Sequence, residues 1–432
     1  MAERRTYIYI DRAGEPVPAG ELVYDAAAGT ARFRYGRRYT QRRDRVAVDP
    51  VTLPLPEPDV TPGWIERQAS PSGHNNDLLF GGLRDAVPDG WGQHVLDRLA
   101  GGELDLFDYL VAAPTDRVGA LATGPDLDGP RRVWPANADP DPESVQPAPA
   151  GEVVDLEDMQ ATIGALDDER EIETLPPAQR RFLLRGSSLG GARPKASTMH
   201  NGRPHIAKFA RKDDRYPRPR IEYACMRLAE ELGLNVPAVD CIGVGEYAVY
   251  LIERFDRVEL SDGRTGRVPF ISGLTLLDAS ESTAHHHSYG ELAQTLRRYG
   301  SAPDRDALEL FQRMVFNVLV NNTDDHLRNH GYLHDGAAWR LSPLYDIEPF
   351  PSIGIDERVL ALALGQGRHA SIANAVAAAA DFGLTADDAR DIATSMREHV
   401  AARWEGLFQE AGIGERDRKF MARAFYAATG AA

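Results

Sequence analysis

The chain has 432 residues, a formal net charge of −16 at pH 7 and two cysteines, Cys225 and Cys241. Two thiols exclude a disulfide framework and are typical of a reducing compartment, while no apolar run approaches the length of a membrane span and no signal-peptide core follows Met1. We therefore expect a cytoplasmic protein of two to three domains, whose acidic balance argues against a surface that binds nucleic acid throughout.

The predicted elements divide the chain into four segments. Residues 1–125 form a β-rich module of short strands with a helix near Trp91–Leu99, and residues 126–150 are rich in Pro and Asp, which is typical of a linker. Residues 151–257 mix predicted strands and helices, and residues 258–432 are mainly helical. The predicted fold class is therefore α+β.

The first module contains an arginine-rich stretch, residues 32–45, in which Phe33, Tyr35 and Tyr39 lie between the arginines. A twisted hairpin with a solvated basic face explains this pattern, because strands often carry such charges at sheet edges. The alternative is a patch that meets DNA phosphates or an acidic partner. We favour the hairpin.

A loop of small residues follows the linker. Residues 186–195 read Gly-Ser-Ser-Leu-Gly-Gly-Ala-Arg-Pro-Lys, and small residues let backbone N–H groups approach phosphates closely. The loop is neither a Walker A sequence nor the G-x-G-x-x-G of ordinary kinases. Taken alone, a plain Gly/Ser turn is the commoner explanation.

Two charged residues come next. Lys208 lies in the strand-like run His205–Phe209, where ordinary kinases place a lysine that contacts ATP, although a lone lysine more often faces solvent. Glu222 lies in the first turn of a predicted helix with apolar Ala224, Leu228 and Ala229 on one face. There it either suits the helix dipole or forms an ion pair with Lys208.

The segments around that helix are also informative. Residues 211–220 are basic and rich in proline, so they predict an exposed loop. Residues 247–257 predict a strand that runs into a polar turn, as in the hinge of a kinase, whose backbone binds adenine.

The strongest chemical pattern lies at residues 321–329. Asp324 and Asn329 are separated by four residues, as in the D-x-x-x-x-N catalytic loop of protein kinases, and Asp346 follows at the range of a second metal-binding acid. An isolated Asp and Asn are usually turn or capping residues. The chain, however, contains six such features in the order found in kinases: glycine loop, lysine, glutamate, hinge, D-x-x-x-x-N and a second acid. Turn and cap formation does not readily explain the whole series.

One apolar helix face is predicted to deliver this loop. Its members are Leu308, Phe311, Met314, Val315, Val318 and Leu319. Two other patterns are misleading. Asp381-Phe382-Gly383 is a literal D-F-G, but Gly383 is better explained as a helix C-cap and Thr385 as the next N-cap. The run His285–His287 predicts a solvated loop, because no zinc-ligand spacing accompanies it.

These residues resemble the HipA-type serine/threonine kinases, the toxin halves of bacterial toxin–antitoxin pairs. The matching words are residues 188–195, 253–257, 322–329 and 345–347, and the words at 88–92 and 116–121 resemble that family's N-terminal module. Relatives often carry Gln where this chain has Arg193.

The resemblance implies a two-lobed, protein-kinase-like fold with an added β-rich N-terminal module and a mainly α-helical C-terminal lobe. It implies phosphoryl transfer from ATP with Mg²⁺, with Asp324 as the catalytic residue and with Asn329 and Asp346 as metal ligands. The residues it places at the nucleotide are Ser188, Gly190, Gly191, Ala192, Arg193, Lys195, Lys208, Glu222, Glu253, Arg254, Phe255, His326, Asn329 and Asp346.

The resemblance also implies regulation and partners. Relatives are phosphorylated on the serine that aligns with Ser188, which implies autophosphorylation there and ejection of the loop. The implied partners are a protein with a Ser or Thr acceptor, such as part of the translation machinery, and a small helix-turn-helix antitoxin similar to HipB. DNA is reached only through that antitoxin, and no membrane is involved. Two alternatives stay open: a catalytically weak kinase-like regulator that binds antitoxin and operator DNA, and a small-molecule kinase.

Overall fold

The computed structural model describes residues 3–69, 78–136, 138–139, 141, 155–167, 174–352 and 358–430. The chain forms two compact units, here called unit 1 (residues 1–212 and 254–271) and unit 2 (residues 213–253 and 272–432). The four-segment division remains a prediction.

Both units mix helices and strands, which confirms the predicted α+β class. The strands of the described residues are β1 (Arg4–Arg12), β2 (Glu15–Asp25), β3 (Thr30–Tyr35), β4 (Ile65–Gln68), β5 (Leu121–Gly124), β6 (Lys195–His200), β7 (Arg203–Lys208), β8 (Val239–Val244), β9 (Tyr247–Glu253), β10 (Arg257–Glu259), β11 (Thr265–Arg267), β12 (Phe270–Ser272), β13 (Gly331–His334) and β14 (Trp339–Leu341).

The α-helices of the same described ranges are α1 (Arg37–Thr40), α2 (Gly81–Asp85), α3 (Trp91–Ala100), α4 (Leu106–Ala112), α5 (Leu156–Asp167), α6 (Pro177–Gly186), α7 (Arg218–Glu231), α8 (Gly273–Leu276), α9 (Tyr289–Tyr299), α10 (Pro303–Val320), α11 (Ile372–Ala377), α12 (Ala386–Glu410), α13 (Glu415–Met421) and α14 (Tyr426–Thr429). Short 3-10 helices lie at Ala284–His286, Leu327–Asn329, Ala379–Phe382 and Ala422–Phe425. Among these helices, none combines the length and the apolar character that a membrane span requires.

Unit 1 is built on an antiparallel sheet in the order β4-β3-β2-β1-β5. The alternation of a strand explains β3, because Phe33 and Tyr35 point into the core while Arg32 and Arg34 point to the opposite face. Those two arginines pair with Glu3 and Glu21 and lie over the ring of Trp64, so much of this basic surface is already balanced within the protein.

The hairpin predicted for residues 32–45 is confirmed only as far as Tyr35, since residues 32–35 lie in β3, which pairs antiparallel with β2. Strand β3 ends at Tyr35, and the chain turns into the short helix α1 after an extended Gly36. The reason lies in Tyr39, which is buried and donates its hydroxyl hydrogen to the carbonyl of Val46 at 2.7 Å. Burying this large aromatic ring and satisfying its hydroxyl pulls the segment inward, where a solvated strand would leave both exposed.

The loop predicted for residues 211–220 is confirmed for residues 211–217, and helix α7 corrects its last three residues. The helix begins at Arg218, with Pro217 at its N-cap and Pro219 in the first turn. Proline is tolerated there because first-turn N–H groups have no intrahelical acceptor to lose. The predicted apolar face is confirmed, since Ala224, Leu228 and Ala229 are all buried.

Helix α10 is the buried helix that leads to the D-x-x-x-x-N loop. Phe311, Met314, Val315, Val318 and Leu319 are fully buried, as predicted. Leu308 is 36% exposed, so its assignment to the buried face is wrong. The N-terminal half of α10 lies at the surface, and only its C-terminal half is buried on all sides.

The two misleading patterns are also explained. Asp381 lies in a 3-10 helix that ends at Gly383, whose φ of 77° is left-handed, as the predicted C-cap requires. Thr385 then caps α12 by accepting a hydrogen bond from the N–H of Asp388 at 3.1 Å. His285 and His286 are exposed, as predicted for a solvated segment, although they form a 3-10 turn.

Candidate active site

The glycine loop of unit 1 connects α6 to β6. Its two serines are buried: Ser187 donates to the carbonyl of Leu184 at 2.6 Å, and Ser188 donates to the carbonyl of Asp116 at 3.2 Å. Gly190 and Ala192 are exposed, so this part of the loop presents its backbone to solvent. Arg193 is half-buried. Exposed backbone with small side chains is what close approach of a phosphate requires.

The loop is held by the segment Pro88–Gly92. The carboxylate of Asp89 accepts a hydrogen bond from the N–H of Gly191, and the N–H of Trp91 donates to the carbonyl of Gly191 at 2.9 Å. A Cβ at Gly90 would lie 2.8 Å from the carbonyl oxygen of Gly191, so only glycine fits. Sequence reasoning treated this segment as a family marker and missed its contact with the loop.

Two lysines stand opposite each other where the loop enters the β6–β7 hairpin. Lys195 pairs with Lys208 across the two strands, so both side chains leave the same face. A Cβ at Gly191 would lie 2.3 Å from Lys195 Nζ, which places that ammonium group against the loop. Like charges directly opposite are unfavourable in a strand pair. The arrangement therefore concentrates positive charge beside the glycine loop.

Arg254 has a structural role in unit 1. It is 4% exposed, and its guanidinium bonds to Asp256 at 2.9 Å, to Asp116 at 3.1 Å and to the hydroxyl of Ser197 at 2.9 Å. Burial acts to raise the pKa of Asp256, but Arg254 and Arg257 hold that pKa well below its ordinary value. The guanidinium is therefore used by the fold, and any nucleotide contact at this position falls to other atoms. Phe255 is half-buried beside Phe270.

In unit 2, α10 ends at Asn321, which has left-handed backbone angles and begins the D-x-x-x-x-N loop. The side chain of Asp324 is exposed, while its carbonyl accepts hydrogen bonds from the N–H of His326 at 2.8 Å and from Asn329 Nδ2 at 3.1 Å. Because the amide nitrogen of Asn329 faces the loop backbone, its Oδ1 points away from that backbone. The loop thus presents a carboxylate and an amide oxygen.

Asp346 brings a second carboxylate to this loop. Its φ of 62° lies in the left-handed region, which is unfavourable for a residue other than glycine and is typical of functional positions. The preceding Tyr345 donates its hydroxyl hydrogen to the carbonyl of Arg328 at 2.6 Å, which ties the two segments together.

The electrostatics agree with that proximity. Partial desolvation of the carboxyl group raises the pKa of Asp324. The negative charges of Asp346 and Asp325 raise this pKa further, while His326 lowers it. Burial raises the pKa of Tyr250 well above its ordinary value, and the carboxylates of Glu222 and Asp346 raise it further. Unit 2 therefore holds Asp346 within electrostatic range of Asp324, and it holds both Glu222 and Asp346 within electrostatic range of Tyr250.

The donor set fits magnesium. Asn329 offers an amide oxygen and Asp346 a carboxylate, and Mg²⁺ prefers such hard oxygen ligands, usually one or two from the protein together with substrate phosphates. Asn329 is 6% exposed and is oriented by its own hydrogen bond, so its oxygen needs little reorganisation to bind a cation. Glu253, at the end of β9, is half-buried. The ion pair predicted between Lys208 and Glu222 stays a prediction.

These features define an α+β protein with a glycine loop and paired lysines in one unit and an acidic D-x-x-x-x-N loop in the other. Residues 187–404 match the model of the HipA-like C-terminal domain family, and the chain belongs to that family.

Two relatives and one solved structure show how far the similarity extends. Y4mE, a provisionally named kinase of Sinorhizobium fredii, is 29% identical over 48% of this chain and 52% of its own length. The serine/threonine-protein kinase toxin HipA of Shewanella oneidensis is 27% identical over 41% of this chain and 46% of its own length. The chain thus spans about half the length of the curated relatives it matches.

The fold similarity extends further than the sequence similarity. A structure of Shewanella oneidensis HipA with HipB and operator DNA matches with a TM-score of 0.62, covering 98% of this chain and 96% of that chain. The sequence identity in that comparison is 19%, so the match shows a shared fold.

Proposed function

We propose that this chain is an ATP- and Mg²⁺-dependent serine/threonine protein kinase of the HipA type, the toxin of a toxin–antitoxin pair. The observation that carries the proposal is the D-x-x-x-x-N loop of unit 2. It exposes the carboxylate of Asp324, orients Asn329 through the carbonyl of the same aspartate, and lies beside the left-handed Asp346. A loop built only for a turn needs none of these three features.

The mechanism assigns a role to each residue. Asp324 accepts or orients the proton of the acceptor hydroxyl, and Asn329 and Asp346 hold the metal. Mg²⁺ held by Asn329 and Asp346 would supply positive charge that offsets the negative charge of the nucleotide phosphates. In unit 1, Lys195 and Lys208 meet the phosphates by charge, and the backbone around Gly191 donates hydrogen bonds to them.

The nucleotide base and the lysine also need partners. Residues 253–255 supply the adenine-facing backbone, and Glu222 pairs with Lys208 so that its ammonium group stays directed at the phosphates. His326 supports the loop next to Asp324, to which its N–H is already bonded. Little covalent chemistry is asked of the protein, so positioning and charge stabilisation account for the rate.

Autophosphorylation on Ser188 is part of the proposal. Its hydroxyl is buried and bonded to a backbone carbonyl, so a phosphate carrying about −1.5 to −2 charges has no place there. Modification therefore requires the loop to leave this position and prevents its return. That consequence supports a switch in which phosphorylated protein holds the loop away from the nucleotide.

The proposed partners follow from the relatives. The Shewanella oneidensis structure contains HipA, HipB and operator DNA. We propose that this chain likewise binds a small helix-turn-helix antitoxin and reaches DNA only through it. The acceptor is a Ser or Thr of a cellular protein, with the translation machinery as the class to search first.

The test is phosphate transfer from γ-labelled ATP with Mg²⁺, measured on the chain itself and on proteins of a lysate. Asp324→Asn and Asp346→Asn should each abolish labelling while keeping the far-UV spectrum of the wild type. Asp381→Asn, which alters the aspartate of the literal D-F-G, is the matched control and should retain full activity. A folded wild type that labels no protein would favour the regulator, and labelling confined to small molecules would favour the small-molecule kinase.

A further inference from the structure

A second aspartate of the loop, Asp325, is buried in unit 2 although its neighbour Asp324 is exposed. Asp325 is 2% exposed, and its Oδ2 accepts hydrogen bonds from Asn317 Nδ2 at 2.6 Å, from His330 Nε2 at 3.0 Å and from the hydroxyl of Tyr289. The three donors come from α10, from the residue before β13 and from the first residue of α9. One oxygen thus joins three separate segments.

The donors are themselves oriented. Asn322 Nδ2 donates to Asn317 Oδ1 at 3.1 Å, which fixes the Asn317 amide with its nitrogen toward Asp325. The carboxylate accepts only, so the proton of His330 must be on Nε2. Tyr289 also packs its ring edge-on against that of His330, with centroids 5.5 Å apart. The cluster therefore holds the chain before the loop at Asn322 and after it at His330.

The cluster sets the direction of the active residues. Because Asp325 is anchored inward, the preceding Asp324 turns its side chain to solvent, and its carbonyl receives Asn329 Nδ2 at 3.1 Å. We propose that Asp325 is a positioning residue for phosphoryl transfer, which holds Asp324 toward the acceptor and Asn329 Oδ1 toward the metal. The proposal rests on the kinase function proposed above and extends it to a residue that touches neither substrate nor metal.

A purely stabilising role does not explain a charge at this position. Removing a carboxylate from water costs free energy. Apolar residues of similar volume often stabilise a core at least as well as a buried charged group does. A charged group bonded by three donors instead gives one defined geometry. The same unit contains a second buried aspartate, Asp306, with which Asp325 can be compared. Asp306 is 3% exposed and accepts hydrogen bonds from Arg340 and from the N–H of Leu341.

The experiment compares Asp325→Asn with the matched control Asp306→Asn. Three quantities are measured: the single-turnover rate of autophosphorylation at saturating ATP, the dissociation constant of ADP without Mg²⁺, and the Mg²⁺ concentration that half-saturates ADP-dependent thermal stabilisation. Asp325→Asn should lower the rate by about 10²-fold, as expected for a small misplacement of reacting groups. It should also raise the Mg²⁺ requirement and leave metal-free ADP affinity unchanged. Asp306→Asn should lower thermal stability but leave the rate per folded molecule unchanged.

Tyr289→Phe removes one donor and keeps the ring, so it should cause a smaller loss in the same direction, and it decides the matter if Asp325→Asn does not fold. Wild-type rate and Mg²⁺ dependence in a folded Asp325→Asn protein would overturn the proposal, as would an equal rate loss in Asp306→Asn. A wild type that transfers no phosphate refutes the kinase function instead. The Mg²⁺ titration then decides the positioning role, which is overturned if wild type and Asp325→Asn are alike.

Discussion

The carboxylate of Asp89 accepts a hydrogen bond from the backbone N–H of Gly191, in the exposed part of the glycine loop. A negatively charged side chain thus occupies a donor that a nucleotide phosphate would use, and an ideal Cβ at Gly190 would lie only 2.8 Å from Asp89 Oδ1. The contact orders the loop, and under the proposed function it also places a negative charge near the phosphates of the nucleotide.

The first prediction follows from that contact. Asp89→Asn keeps an acceptor for Gly191 and removes the charge, so nucleotide affinity should increase by about fivefold, because ~1 kcal/mol separates two unit charges at contact from no charge in a water-like medium. Isothermal titration with ADP measures the change. The control is Asp97→Asn, because Asp97 lies in α3 of the same unit and accepts a hydrogen bond from the hydroxyl of Tyr109. This variant should bind ADP as tightly as the wild type. Weaker binding in Asp89→Asn would show that the carboxylate assists the phosphates.

The lysine pair gives a second prediction. Lys195→Met should weaken ATP binding by about tenfold or more, since one ammonium–phosphate interaction contributes on the order of 1.5 kcal/mol or more. The far-UV spectrum without nucleotide should stay that of the wild type, because backbone pairing between β6 and β7 does not depend on the side chain. Lys419→Met, which alters a surface lysine of α13, is the control. A large loss of stability with unchanged affinity would contradict the assignment.

Ser188 gives a third prediction, for which Ser187 is the internal control. After incubation with Mg²⁺-ATP, mass spectrometry should find phosphate on Ser188 in the wild type, and none in Asp324→Asn. Subtilisin, which has little sequence preference, should then cut the modified protein faster between Gly186 and Ala192, because the released loop is accessible to the protease. Ser187→Ala should still be modified at Ser188, whereas phosphate on Ser187 alone would move the switch by one residue.

The buried ion-pair group around Arg254 gives a fourth prediction. Arg254→Met removes one of the two guanidinium groups that Asp256 and Asp116 share, and Arg257 remains as the other, so unit 1 should be destabilised by about 3 kcal/mol, the low end for breaking a buried ion pair. Urea denaturation measures this loss. Arg264→Met removes an exposed arginine paired with Asp262 and should have no measurable effect. If Arg254→Met instead keeps its stability and loses only nucleotide affinity, the guanidinium serves the ligand and not the fold.

The parts of the fold and of the candidate site that could be predicted are those that depend on residues close together in the sequence. The spacing of Asp324 and Asn329, the apolar face of α10 and the C-cap at Gly383 are each contained within a few residues. The contact of Asp89 with Gly191 joins residues 102 positions apart, and that of Arg254 with Asp116 joins residues 138 apart. No periodicity or spacing encodes such pairs, because they depend on how distant segments pack.

Asp325 was missed for a different reason. Asp325 directly follows Asp324, and the sequence alone does not distinguish two adjacent aspartates in a loop. Only burial separates them, since one side chain is 2% exposed and bonded to three donors while the other faces solvent. The doublet was the available signal, because two unpaired carboxylates side by side repel each other unless one is stabilised by the fold.

The contact between Pro88–Gly92 and the glycine loop has a consequence for how this protein can be divided. The family model begins at Ser187, so a fragment cut at that boundary would appear to contain a complete domain. Such a fragment would lack Asp89 and Trp91, and with them both hydrogen bonds that hold Gly191. It would also lack the carbonyl of Asp116 that Ser188 uses. The loop of the fragment would lack these three contacts, so the N-terminal residues and the loop that they contact must be expressed in one chain.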